Sequence, residues 1–345
     1  MHTSNSSLDI LFVSIYSANY SRAESLLTSD QREDQFLTTG KISIKTTFTI
    51  LKEIKKQNPK QVVVCSPSHI LVPVLKTIRG KSLVLDAGWP LSDANFTRAR
   101  NGISLFQALK NFIVDFLAFQ AASKVIVESE PQKERCKRVF RVPANKIRVV
   151  YTGVDEKRFQ NKDEEMPLET PKLVEPVIFF RGKYNFESGL TNLLKAAFSL
   201  EGLAHIVIAT DSSFEDKKIA GNVTLLNRKL LDAEIMYLYK QAYISIGQLS
   251  NHKRTKVTIP HKFFESAYFG IPYVTMEESA VSDLTGGSGI YNLSNSQIAD
   301  LPNFLYNIIR NGTERNSKAN EIKLFYRKKL SQEKLQSDFH STLMK

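Results

Sequence analysis

Unbroken runs of apolar, β-favouring residues recur down this chain, and they do not alternate with polar residues as half-exposed strands would. Runs at 9–15, 62–65, 83–86, 125–127 and 147–151 are separated by helical patterns, among them 44–54, 70–78 and 103–119. A strand that is apolar along its whole length is buried on both faces, which calls for a parallel sheet with helices packed on each side. The alternation breaks at Asn161-Lys162-Asp163-Glu164-Glu165-Met166-Pro167, followed by Pro171 and Pro176. It then restarts with strand-like runs at 177–180, 206–209, 223–226, 243–246 and 273–275 and helical patterns at 189–200, 232–241, 297–309 and 320–330. The charged, proline-bearing break reads as an interdomain linker. The predicted fold is therefore α/β, with two doubly wound, Rossmann-like domains facing a cleft. Residues 1–165 and 172–328 are expected to form the two domains, and 329–345 a C-terminal helix that packs back on the first. Ligands of such sheets bind beyond the carboxyl ends of the strands, here in the expected cleft.

Composition narrows the function. At 345 residues, 42% hydrophobic and 24% charged, the chain is expected to be soluble and globular. Cys65 and Cys136 offer neither a disulfide framework nor metal spacing, which points to a reducing, cytoplasmic compartment. The six histidines form no His-x3-His pair with a nearby Glu, so a zinc hydrolase site is not supported. The segment 1–7 lacks the order of a signal peptide. The stretch 112–127 falls short of the ~20 apolar residues that a membrane span needs. Leu105, Phe106, Leu109, Phe112, Ile113, Phe116 and Leu117 recur at helical spacing, and this stripe is expected to be core rather than membrane contact.

The formal net charge is +12, which favours anionic partners. One basic cluster spans Lys133, Arg135, Lys137, Arg138, Arg141, Lys146 and Arg148. It would suit an anionic membrane surface, with the protein peripheral on the inner face, or else it is a solvated helix face. No aromatic residues interleave with these bases as a stacking platform would need, so a nucleic-acid partner is disfavoured.

The segment Ile259-Pro260-His261-Lys262-Phe263-Phe264-Glu265-Ser266-Ala267-Tyr268-Phe269-Gly270-Ile271-Pro272 reads as a short helix. Pro260 suits its start, Gly270 its end, and Pro272 stops it. Lys262 and Glu265, three apart, share a face near the helix's positive end. An ammonium and a carboxylate there fit a nucleotide-diphosphate sugar, with phosphates on the lysine and ribose hydroxyls on the carboxylate. The alternative is an ordinary surface ion pair on a capped helix.

Several segments together resemble the family 4 glycosyltransferases, which have the two-domain GT-B fold. Tyr151-Thr152-Gly153-Val154-Asp155-Glu156-Lys157-Arg158-Phe159 resembles the stretch that ends their first domain, and Val125-Ile126-Val127-Glu128-Ser129-Glu130 the strand before it. Arg181-Gly182-Lys183-Tyr184-Asn185-Phe186-Glu187-Ser188-Gly189-Leu190 resembles the element opening their donor domain. The helix 232–242 and the Lys262-x-x-Glu265 helix with Gly270-Ile271-Pro272 follow in the family's order and spacing. The resemblance implies a retaining transfer of sugar from a nucleotide-diphosphate sugar, used as co-substrate with no other cofactor or metal, to a glycan, lipid-linked or cell-envelope acceptor. It implies phosphate contacts from Lys183 and Lys262, and donor contacts from Arg181, Gly182, Ser188 and Glu265.

The sequence departs from the family at several positions. Val257 stands where many members carry a first Glu, although a branch of the family has the Lys256-Val257-Thr258-Ile259-Pro260-His261-Lys262 form. Ser188 replaces a donor lysine, and Lys183 replaces an arginine, trading a fork for a point charge. Lys262, Arg181, Lys253, Arg254 and Lys256 are candidates to supply the missing charge. The loop Ser17-Ala18-Asn19-Tyr20 lacks the family's glycine pair. Asp86 takes the place of a histidine, and is a candidate to position the sugar or acceptor hydroxyl, or else a cap. Trp89 is a candidate acceptor-side stacking group, or else a loop anchor. These departures leave a second reading open, a weak or inactive nucleotide-sugar-binding homologue. A Rossmann oxidoreductase is disfavoured because no Gly-x-Gly-x-x-Gly follows the first strand.

Overall fold

The computed structural model describes residues 9–15, 21–38, 40, 43–78, 82–93, 105–160, 173, 176–212 and 219–344. Most of the expected linker and the loop 16–20 therefore lie outside the described residues. The chain divides into two compact units, Met1–Thr152 with Leu335–Lys345, and Gly153–Lys334.

The first unit holds a parallel sheet of β1 (Ile10–Ser14), β2 (Phe36–Thr38), β3 (Gln61–Cys65), β4 (Ser82–Gly88), β5 (Lys124–Val127) and β6 (Ile147–Val149), in the order β2-β1-β3-β4-β5-β6. Successive residues of one strand feed different cores. Leu11, Val13, Val62 and Val64 pack into one apolar layer, Ile10, Phe12, Val63 and Cys65 into the other. That division explains the unbroken apolar runs, since neither face of the sheet is free to be polar.

The second layer is completed by the helix Gln332–Met344, whose Leu335, Phe339 and Leu343 recur every four residues and are buried against β1 and β3. Phe339 stacks 6.3 Å from Phe12. At roughly 1.5–3 kcal/mol per fully buried large apolar side chain, these three contribute about 5–9 kcal/mol of apolar burial. Lys124 Nζ and Gln61 Nε2 donate to carbonyls at the end of this helix, where a cation also meets the negative end of the helix dipole.

The second unit holds β7 (Val177–Arg181), β8 (His205–Thr210), β9 (Val223–Asn227), β10 (Ala242–Ile246), β11 (Tyr273–Met276) and β12 (Ile290–Leu293), in the order β12-β11-β10-β7-β8-β9 and again all parallel. The chain runs outward from β7 through β8 and β9, then returns to β10 on the other side. The β7–β10 seam is therefore the point where strand order reverses, the place where sheets of this kind bind ligands beyond their carboxyl ends.

Some local expectations change. The helix expected over 70–78 is confined to Leu71–Leu75, and the one over 297–309 divides into Asn295–Ile298 and Leu301–Arg310. Pro302 lies in the first turn of the latter, where a missing N–H costs nothing and a fresh start is favoured. The short strands β2 and β12 had no clear signal.

The apolar stripe of the helix Leu105–Ala121 is a correction except at Phe112, which packs against the core beside Phe140. Leu105, Phe106, Leu109, Ile113, Phe116 and Leu117 are exposed, whereas Ala108, Asp115, Ala118 and Phe119 face the core. The helix packs beside the helices Leu71–Leu75 and Glu130–Phe140. Asp115 is tolerated beneath it because it accepts from Leu91 N, Ser92 N and Ser92 Oγ at 2.7–3.1 Å.

Candidate functional site

Three elements of the second unit converge at the β7–β10 seam. Strand β7 ends in Arg181, and the next residue, Gly182, has φ +147°, a conformation open essentially to glycine alone. Strand β10 ends at Ile246, followed by Gly247. A Cβ on Gly247 would lie 2.6 Å from both the Tyr273 ring and the Val274 carbonyl, so only glycine fits there. The helix His261–Phe269 has Pro260 as its N-cap residue, one position before the expected first turn, and closes at Gly270 with φ +72°.

That helix delivers Lys262 and Glu265 to the seam, both buried. Glu265 is fully enclosed. Arg181 Nη1 donates to both its oxygens at 2.6 Å, Tyr239 OH lies 3.1 Å from Oε2, and His261 Nδ1 lies 3.2 Å from Oε1. Burial alone would push this carboxyl up. His261 and Arg181 outweigh that and hold it at about 2. Tyr239 comes from the helix Asp232–Gln241 and is wedged between Phe269, stacked at 5.2 Å, and Phe179, edge-on at 4.9 Å.

Lys262 turns the other way. Its Nζ donates to the Gly247 carbonyl at 2.9 Å and lies 3.8 Å from the centre of the Phe180 ring. Burial pushes its pKa well below the ordinary lysine value; the Arg181 charge adds to this and Glu265 opposes it. Gly182 adjoins it, for a Cβ there would lie 3.8 Å from Nζ. The seam thus gathers Arg181, Gly182, Lys262 and Glu265. The side chain of Arg181 is 31% exposed, and among the described residues only its Nη1 makes a protein hydrogen bond. Arg181 faces the carboxylate and Lys262 adds a second basic group to the seam, so an anion is the complementary ligand.

The loop after β7 carries the other candidates. Lys183 is exposed and forms no ion pair among the described residues. Ser188 is buried, and its hydroxyl donates to the Asn185 carbonyl at 2.7 Å, closing a turn instead of facing a ligand. Arg254 pairs with Glu187 and Lys256 with Glu278, so both of these charge candidates have carboxylate partners.

Asp86 and Trp89 belong to the first unit. Asp86, at the end of β4, is buried, and Arg22 holds both its oxygens at 2.8–3.0 Å. Arg22 also donates to Val150 O and Thr152 Oγ1. Trp89 follows that strand, half-buried. The basic stretch 133–148 is partly neutralised within its own unit, where Lys133 pairs with Glu130, Arg135 with Asp93 and Lys137 with Glu134. Among the described residues no group of three His, Cys, Asp or Glu is placed to hold a metal ion.

Arg22, Tyr239 and Gly247 were not singled out by sequence. Tyr239 lies in the 232–242 segment that carries the family resemblance. Arg22 had no signal, because its carboxylate is 64 residues away.

Two Rossmann-like units with all-parallel six-stranded sheets make the GT-B fold. No family model and no curated protein matches the chain, but solved structures do. HepE from Anabaena, crystallised with UDP, is 13% identical with a TM-score of 0.73, covering 98% of this chain and 100% of that one. Its complex with UDP-glucose gives 12% and 0.73 over 98% and 99%. A sucrose-phosphate synthase from Thermosynechococcus elongatus gives 13% and 0.68 over 87% and 77%. A glycosyltransferase from Rickettsia africae gives 13% and 0.65 over 98% of each chain.

Proposed function

We propose that this chain is a glycosyltransferase that binds a nucleotide-diphosphate sugar at the β7–β10 seam and passes the sugar, with retained configuration, to a glycan, lipid-linked or cell-envelope acceptor. The observation that carries the reading is the pairing of Arg181 with the enclosed Glu265, beside a buried Lys262, at the carboxyl edge where the strand order reverses. Similar solved chains bound to UDP and UDP-glucose support the same ligand class here.

The diphosphate would take the remaining guanidinium hydrogens of Arg181 and the ammonium groups of Lys262 and Lys183. As the sugar departs, negative charge grows on the leaving phosphate. Cations fixed in advance stabilise that charge more than they stabilise the bound donor. Glu265 keeps Arg181 oriented, and reaches a ribose hydroxyl if the guanidinium shifts on binding. With Val257 in place of the family's first acid, no carboxylate nucleophile is assigned. The departing phosphate oxygen takes the acceptor's proton. Asp86 is kept as a candidate for the acceptor side, acting through the loop it supports with Arg22.

Calorimetry with UDP, GDP and ADP and their sugars tests the reading, followed by donor hydrolysis without acceptor. One nucleotide should bind, its sugar should be slowly hydrolysed, and Glu265→Ala should weaken binding most. Failure of every nucleotide to bind would overturn the proposal. Binding without any hydrolysis or transfer would favour the inactive homologue.

A further inference from the structure

The helix Leu105–Ala121 carries a surface that soluble proteins seldom expose. At 100° per residue, Leu105, Phe106, Leu109, Ile113, Phe116 and Leu117 fall on one arc, and their exposures run from 38% to 75%. The only charged residue on the helix's exposed side is Lys110. The opposite side is anchored by Phe119 and Phe140, stacked at 4.9 Å, so the stripe faces outward from a rigidly packed helix.

Basic groups flank the stripe. At the helix's carboxyl end Lys146 Nζ donates to the Gln120 carbonyl at 2.8 Å, and Gln120 Nε2 donates to the carbonyl of Phe140, next to the exposed Arg141. Exposed Lys76 lies near enough to Lys146 to help depress its pKa, after burial. A flat apolar stripe bordered by cations matches the lipid–water boundary of an anionic bilayer, with the apolar side chains among the acyl chains and the cations at the head groups. A water-filled surface offers the six apolar side chains nothing. No helix among the described residues is long and apolar enough to cross a membrane, so the contact would be lateral.

We infer that the helix Leu105–Ala121 is a membrane-docking face that lies in the surface of an anionic bilayer, with Lys76, Lys110, Arg141 and Lys146 on its rim. The inference rests on the first unit's surface alone and does not need the nucleotide reading. Of the basic stretch 133–148 it keeps Arg141 and Lys146 at the rim, whereas Lys133, Arg135 and Lys137 are paired with carboxylates.

Cosedimentation of the full chain with phosphatidylcholine vesicles, with and without phosphatidylglycerol, reads the effect. The wild type should sediment with the anionic vesicles. The triple variant Phe106→Ser, Leu109→Ser, Ile113→Ser should lower the bound fraction by at least about tenfold, with an unchanged melting curve because the three side chains are exposed. Lys110→Ala should weaken binding by about fivefold. As an independent measure, Phe106→Trp fluorescence should be quenched by tail-brominated lipid, read against the wild type's single Trp89. Equal sedimentation of the serine variant would overturn the inference, as would a wild type that binds no vesicles. A wild-type dimer that the serine variant converts to a monomer, with no vesicle binding in either, would make the stripe a contact between two copies instead.

Discussion

Each unit places an arginine–carboxylate pair at the carboxyl edge of its sheet, and the two pairs differ in what they leave open. In the first, Arg22 and Asp86 enclose each other with side-chain exposures of 5% and 3%, and the guanidinium's other hydrogens go to Val150 and Thr152. In the second, Glu265 is equally hidden, but Arg181 keeps 31% of its side chain exposed and uses one nitrogen. The first pair joins β4 to the segment after β6 and works as a fastening. The second is a cation held by its back, with its front free for a ligand. Similar chemistry is thus closed on itself in one unit and left with open donors in the other, and the difference is the number of donors already satisfied.

Removing one partner is the sharpest way to break this comparison. Asp86→Ala leaves the Arg22 guanidinium buried and unpaired, and should lower stability by about 3–5 kcal/mol in urea denaturation. An unchanged midpoint with lost transfer would instead give Asp86 a chemical role. Lys262→Met keeps the aliphatic stem against Phe180 and should lower turnover by about 10²–10³-fold in a transfer assay, with little change in melting. Arg181→Ala should weaken nucleotide-diphosphate binding by about 1.5–3 kcal/mol in calorimetry. The exposed Lys183→Ala should change it only about twofold to fivefold. Equal effects at 181 and 183 would mean that enclosure by Glu265 contributes nothing to the site.

Buried carboxyls give a pH version of the same contrast. Glu265 titrates at about 2 in the fold against an ordinary 4.5, so its contribution is present above 4.5 and is lost as pH falls through that window. Asp115 in the first unit goes the other way. Burial raises it from 3.8 to about 6 against the opposing hydrogen bonds from Ser92 and Leu91. The folded state there keeps a proton that the unfolded chain loses, so the first unit should gain stability as pH falls from 6 towards 3.8. Melting followed by calorimetry across that range should show one transition rising before the other falls. Parallel shifts in both would contradict the assignment.

The doubly wound sheets were legible because burial on both faces leaves a mark on every strand, as at Val62-Val63-Val64. The helix with Lys262 and Glu265 was legible because proline and glycine punctuate it. Other features were less so. Periodicity identified the stripe 105–117 but not what lies against it, because an apolar face looks the same towards a core or a lipid. Gly247 is required by Tyr273 and Val274 of the neighbouring strand, a demand invisible in its own segment. Asp115 is a lone acid within the apolar stretch 112–127, and nothing beside it in the sequence points to the short helical turn at 91–93 that it holds.

The helix Gln332–Met344 has a consequence for how the protein is made. Its Leu335, Phe339 and Leu343 finish a core begun by Ile10 and Phe12, yet they leave the ribosome after every residue of the second unit. During synthesis the nascent first sheet therefore waits with one greasy side uncovered while its neighbour matures. Chaperone dependence and aggregation of stalled or shortened chains should follow from that delay.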